Sequence, residues 1–299
     1  MVEDALQRAQ ALMAQWDEEL RRELPQGAGI FDAHTHLGTD IDGMVGVYED
    51  LERGMDKYGI SRCFMFCLDE PDRHPGFRAG NDRTLAFAER SKGRMIPFVR
   101  LDLAALADRL GGKAGVYFDT SVWSPLDLLG LYRLVGPEQV VYASDYPYGQ
   151  QPASLLIALR TARLAQLDEQ QVRGVLAGNA NRIAGGEPPL TPSAPKGIET
   201  FQQPMSLARI HQYLSMATPL LWTRQPDRIG VLGLALNATH DRTNGHREEL
   251  DQIRELLTAA QAMWLTLPDD ADERDRVAHM RATFRLIHLA DIVAVTTPA

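Results

Sequence analysis

Residues 29–40, GIFDAHTHLGTD, place Asp32, His34 and His36 at alternate positions where an apolar run gives way to polar residues. Side chains two apart on a strand project to one side, so the three would converge if this run is extended. Two imidazoles on one edge can bind a single divalent cation, and a nearby carboxylate can orient an imidazole by accepting its other N–H. A second piece, VVYASDYPYG (140–149), is an apolar run that ends at Ser144 and Asp145. Asp145 could complete a two-histidine, one-carboxylate set that leaves room for a water whose pKa the cation lowers toward about 7. It could also take a proton from that water and pass it to a leaving group. The alternative is structural: Asp145 as a turn residue before Pro147, since Asp and Pro are both favoured in turns.

The elements that would carry these residues alternate along the chain. IFDAH reads as a short strand, VGVYEDLERGMDKYG (45–59) as helix-like, and ISRCFMFCL (60–68) as a second strand. A turn-rich loop, DEPDRHPGFRAGND (69–82), precedes a helix RTLAFAERS (83–91) and a strand RMIPFVRL (94–101). A short helix LAALADRL (103–110), a strand GVYFDTS (115–121), a helix SPLDLLGLYRLVG (124–136) and a strand QVVYASDYP (139–147) follow, then helices over 152–164 and 168–178. Strands alternating with helices imply parallel β/α units, whose active-site residues sit at the C-terminal ends of the strands. That rule selects Asp32, His34 and His36, then Asp69 and Glu70, Arg100 and Asp102, Asp119 and Asp145. Arg100 could bind a substrate carboxylate with its planar fork, or form a surface salt bridge.

FDAHTHLG, GVYFDTSVW, VVYASDYPYG and GNANRI (178–183), taken in this order, resemble the amidohydrolase-related metal-dependent hydrolases. That branch also holds non-oxidative decarboxylases of aromatic and unsaturated acids. The resemblance covers residues 27–186. It implies a TIM-like barrel, with His34 and His36 as metal ligands from the first strand and Asp145 from the last as ligand and proton-transfer group. In GNANRI, Asn179 and Asn181 are expected as helix caps.

The resemblance also exposes a gap. A (β/α)8 barrel takes at least about 200 residues, whereas the span from the first strand to GNANRI is roughly 160. Five strand candidates are legible, and no histidine occurs between His74 and His211, although the family's middle strands usually bring further ligands. Barrel closure links strand number, tilt and shear, so the expected fold class is α/β: an incomplete TIM-like barrel or an open parallel β/α sheet of about five strands, followed by a helical C-terminal module. The metal set would then be His34, His36 and Asp145, with Asp32, Asp119, Asp69 and Glu70 as supporting groups or substitute ligands, and His74 as a loop residue. An open sheet has two edges that need cover, from residues 201–299 or from another copy of the chain in a homo-oligomer.

The expected domains are an N-terminal helix (1–26), a shortened amidohydrolase-like domain (27–186), a Pro-, Ser- and Thr-rich linker (187–204) and a helical region (205–299). Leu6, Met13, Trp16 and Leu20 fall near helical spacing in the first of these. With 299 residues, 44% of them hydrophobic, the chain can fill a substantial core. A net charge of −9 and no cluster of Lys and Arg argue against a nucleic-acid partner. No run reaches the ~18 apolar residues of a membrane span. Two cysteines, Cys63 and Cys67, read as core thiols in a cytoplasmic chain.

The expected function is a metal-dependent hydrolase acting on a carbonyl or related carbon of a small molecule, with zinc as the first choice of cation and manganese the second. A metal-dependent decarboxylase is the nearest alternative. The rival of another class is a non-catalytic remnant kept as a binding or assembly module.

Overall fold

The structure, a computed structural model, describes residues 2–40, 44–68, 77–98, 115, 117–121, 124–133, 135–149, 151–196, 201–222, 230–241, 245–266 and 273–298. The chain divides into two compact units, Leu24–Gly197 and Met1–Glu23 with Ile198–Ala299. Among the described residues, no helix is long and apolar enough to cross a membrane.

The first unit is built on parallel strands, as the β/α alternation predicts. β1 (Ile30–Thr39) pairs in parallel with β3 (Ile60–Cys67), which pairs in parallel with β4 (Met95–Pro97). β5 (Phe118–Asp119) and β6 (Val140–Val141) form a second parallel pair. The segment after β6 joins the two. Ala33 N–H donates to the Tyr142 carbonyl at 2.7 Å, Asp145 N–H to that of His34 at 2.9 Å, and His36 N–H to that of Tyr146 at 2.6 Å. These bonds run along β1 from residue 33 to residue 36, and Thr35 and Tyr146 form a parallel bridge. The spatial order β5, β6, β1, β3, β4 therefore sets the first and last of the expected strands side by side.

Several local expectations need correction. The helix-like run from Val45 begins only at Tyr48 (Tyr48–Tyr58), because Val45 and Gly46 form β2, antiparallel to the end of β1. Gly46 is required there: a Cβ would lie 2.4 Å from the His36 carbonyl oxygen. The helix ends at Gly59, whose φ of 68° is one that glycine adopts without a Cβ penalty. The turn-rich loop is shorter than its composition suggests, since the next helix spans Arg78–Arg90 and takes in Gly80, Asn81 and Asp82. The apolar run 139–147 is a ladder strand only at Val140 and Val141. Asn179 does not cap a helix. Its buried side chain donates to the carbonyls of Pro137 and Val140, both at 2.8 Å, and so ties the helix Asn179–Ala184 to the start of β6.

Phe31, Phe64, Val141, Ala177 and Ala180 form a buried cluster that holds β1, β3, β6 and the chain before Ala184 together. Thr35, fully buried, donates to the Phe64 carbonyl at 2.7 Å. A buried hydroxyl whose hydrogen bond is satisfied in this way fixes how β1 lies on β3.

In the second unit, the helices Val2–Glu23, Met205–Trp222, Val231–Ala238, Arg247–Leu265 and Glu273–Thr296 pack together. The buried stripe of the first is Ala5, Ala9, Leu12, Trp16 and Leu20. It is rotated from the sequence expectation: Leu6 is exposed and Met13 only half-buried, because small alanines allow the closest helix approach. Here His211 Nδ1 meets Asp291 Oδ1 at 2.7 Å. Burial raises the Asp291 carboxyl above its ordinary value, and the hydrogen bond from His211 opposes that rise.

Candidate metal centre

His34 and His36 come from the C-terminal half of β1, and Asp145 from the segment laid against it. Their ligand atoms all lie within 4.8 Å of one another. His34 Nε2 is 3.1 Å from His36 Nε2, and Asp145 Oδ1 is 3.4 Å from the first and 3.6 Å from the second. Four-coordinate zinc with ligands at about 2.0–2.2 Å separates neighbouring donor atoms by roughly 3.3–3.6 Å. The two distances to Asp145 fall in that range and the His34–His36 distance of 3.1 Å is just short of it, so the three atoms come close to one face of such a site. A fourth position is then left for water or substrate.

The hydrogen placement fits a cation as well. His34 Nδ1 faces Asp119 Oδ2 at 2.8 Å, and His36 Nδ1 faces the Cys67 carbonyl in a longer contact of 3.4 Å. A carboxylate and a carbonyl only accept, so the neutral rings carry their hydrogens on Nδ1. Both Nε2 atoms then present lone pairs, beside a carboxylate oxygen. Three acceptors converging without a donor repel one another, and a cation among them removes that repulsion.

Asp145 reaches this place through an unusual backbone. Its φ is 58°, a left-handed conformation that Asp tolerates better than most residues. Its N–H donates to the His34 carbonyl and its carbonyl accepts from Gly149 N–H, each at 2.9 Å. A Cβ on Gly149 would lie 1.8 Å from the Ser144 carbonyl oxygen, so this loop can close only around glycine.

Asp32 is not a member of the set, and it does not orient an imidazole. Its Oδ1 accepts from the backbone N–H groups of His34 at 3.2 Å and Ser144 at 2.8 Å. The β1 register is irregular between Asp32 and Thr35, so strict alternation does not carry from residue 32 to residue 34. Burial pushes the Asp32 carboxyl up to about 6 against the opposing hydrogen bonds. The carboxylate that meets the His34 ring is that of Asp119, at the end of β5. Its other oxygen, Oδ1, accepts from Ser121 N–H at 3.0 Å and from the Ser121 hydroxyl. Burial alone would lower the His34 imidazole, but the hydrogen bond and charge of Asp119, with Asp145 and Asp32 near, raise it above 6.5. Burial likewise opposes ionisation of Asp119, yet His34 and Ser121 hold that carboxyl below its ordinary value. Asp69, Glu70, His74, Arg100 and Asp102 lie outside the described residues.

Sequence reasoning missed Phe66, whose ring packs against both imidazoles, with centroids 4.8 Å from His34 and 4.2 Å from His36. Its place near the end of the second strand was the available signal. It also missed the Cys67 carbonyl, for which no side-chain pattern exists. Tyr148 donates to Asp40 Oδ2 at 2.6 Å and stands 6.4 Å from the His36 ring. Cys63 and Cys67 are buried and unpaired with each other, and burial pushes the Cys63 thiol up to about 12, in keeping with a core residue.

Residues 73–185 match a family model described as amidohydrolase, and the match supports an amidohydrolase-related family for this chain. Asp119 and Asp145 lie inside the matched span, while His34 and His36 precede it and are joined to it only by the fold. No curated protein and no solved structure matches the chain.

Proposed function

We propose that the chain is a metal-dependent hydrolase that acts on a carbonyl or related carbon of a small molecule. The observation that carries the proposal is the convergence of His34 Nε2, His36 Nε2 and Asp145 Oδ1 at 3.1–3.6 Å. These three residues would hold the cation, zinc or, second, manganese. The strand order β5, β6, β1, β3, β4 supports reading the sheet as an incomplete TIM-like barrel with the site at its C-terminal strand ends.

When bound, the cation supplies Lewis acidity, polarising a carbonyl and acidifying water. The residues of the chain do the rest. Asp119 and the Cys67 carbonyl accept at Nδ1 of His34 and His36, which turns the Nε2 of each ring toward the cation. Asp145, at a half-buried position open to solvent, takes the proton of the attacking water and returns it to the leaving group. Phe66 excludes water from one side of both rings.

A second reading, non-oxidative decarboxylation of an aromatic or unsaturated acid, is favoured by the same aromatic surface. Phe98 stacks on Phe64 at 4.3 Å, lies 6.5 Å from Phe66, and is exposed. The deciding experiment has two parts. Protein purified without chelator should carry a stoichiometric divalent cation that His34→Ala and Asp145→Asn variants lose; no cation in any of them would sink the proposal. Product analysis then separates hydrolysis from release of carbon dioxide.

A further inference from the structure

We propose that Asp119 is a positioning residue whose second carboxylate oxygen keeps the histidine pair open to a cation, so that even the isosteric amide would close the pair on itself. The inference rests on the reading of His34, His36 and Asp145 as metal ligands.

Both oxygens of Asp119 are engaged, in different directions. Oδ1 accepts from Ser121 N–H at 3.0 Å and from the Ser121 hydroxyl, and Oδ2 accepts from His34 Nδ1 at 2.8 Å. A hydroxyl can rotate to suit a neighbour, but a backbone N–H is a donor whatever faces it. An amide at this position has one acceptor oxygen and one donor nitrogen. The Ser121 N–H pins the oxygen on its side, and the NH2 then points at His34 Nδ1. That nitrogen must become the acceptor, so the ring hydrogen moves to Nε2. His36 Nε2, still an acceptor because its own Nδ1 faces the Cys67 carbonyl, is 3.1 Å away. The outcome is an N–H···N hydrogen bond between the two histidines, across the space where the cation would sit. A neutral, isosteric substitution outside the ligand set would thus replace a metal-binding pair with an internally satisfied one.

The test reads ring hydrogens as well as metal. The 15N shifts of the histidine rings are measured in metal-free protein at about pH 9, where free imidazole is neutral. Wild type is expected to hold the His34 hydrogen on Nδ1, and Asp119→Asn to hold it on Nε2, with the His36 tautomer unchanged and a cooperative unfolding transition retained. Affinity for Zn2+, measured by competition with a chelating dye, is expected to fall by about 10- to 100-fold, the range for loss of such an orienting partner. A wild-type His34 with its hydrogen on Nε2 overturns the proposal, and this measurement stands even if the variant fails to fold. An unchanged tautomer or unchanged affinity in folded Asp119→Asn overturns it too. If wild type binds no metal but the tautomer still switches, the metal reading fails while the positioning role of Asp119 stands. Tight metal binding in wild type that Asp119→Asn leaves untouched has the opposite meaning.

Discussion

His34 Nε2 and His36 Nε2 face each other across 3.1 Å with both ring hydrogens engaged elsewhere, His34 by Asp119 and His36 by the Cys67 carbonyl. Two lone pairs at this separation are a cost to the fold that a cation would turn into a gain. One divalent cation per chain should therefore raise the melting temperature. At a metal concentration 100-fold above Kd the stabilisation would be about 2.7 kcal/mol. Thermal unfolding of metal-free and reconstituted protein measures it, and His36→Ala should abolish most of the difference.

The pH dependence of metal binding follows from His34. In the metal-free site its pKa lies above the ordinary 6.5, so below that raised value the ring carries a second proton that a cation must displace. Because the folded value is raised, protonation of His34 stabilises metal-free protein below about pH 6.5, and that contribution is lost as pH rises through the folded value. Zn2+ affinity should accordingly fall as pH drops through the same range, by up to about tenfold per unit. Titrations at pH 8 and pH 5.5 would show it, and equal affinities at the two would contradict it.

Asp32 adds a second pH dependence of the same sign. Its carboxyl rises from 3.8 to about 6 on folding, so its contribution to stability is full below 3.8 and is lost as pH rises through 6. At about 1.4 kcal/mol per pH unit the loss is of order 3 kcal/mol. Asp32→Asn retains an oxygen for the N–H groups of His34 and Ser144 and has no such dependence. In metal-free protein, the stability of the variant relative to wild type should be greater at pH 8 than at pH 4 by about that amount. Urea unfolding at the two values measures the change, and a constant difference would refute it.

Gly149 should tolerate no side chain. With a Cβ 1.8 Å from the Ser144 carbonyl oxygen, Gly149→Ala must move the loop that presents Asp145. We expect a loss of about 2 kcal/mol or more in stability and a drop in metal affinity together. Full affinity in a well-folded Gly149→Ala protein would show that the Asp145 loop has another way to close.

Much of the candidate site is legible in residue spacing alone. The H-x-H spacing of His34 and His36 and the strand-end position of Asp145 follow from the period of an extended chain and from where parallel β/α units place chemistry. The parallel strands are legible for the same reason. What alternation does not foresee is the irregular register between Asp32 and Thr35, which turns Asp32 toward backbone N–H groups and leaves His34 to Asp119, 85 positions away. Similarly, the stripe on the first helix is shifted because alanines count little in a hydrophobic pattern yet pack closely.

By itself, the sequence determined which residue types could ligate a metal and which strand ends would carry them, because those depend on local period and side-chain chemistry. Only the tertiary structure decided that β1 lies beside residues 142–146, that each Nδ1 meets an acceptor, and that both Nε2 lone pairs turn inward on Asp145. Hydrogen bonds to a distant carboxylate and to a backbone carbonyl leave no trace in residue spacing, yet they determine which nitrogen of each ring is free to bind.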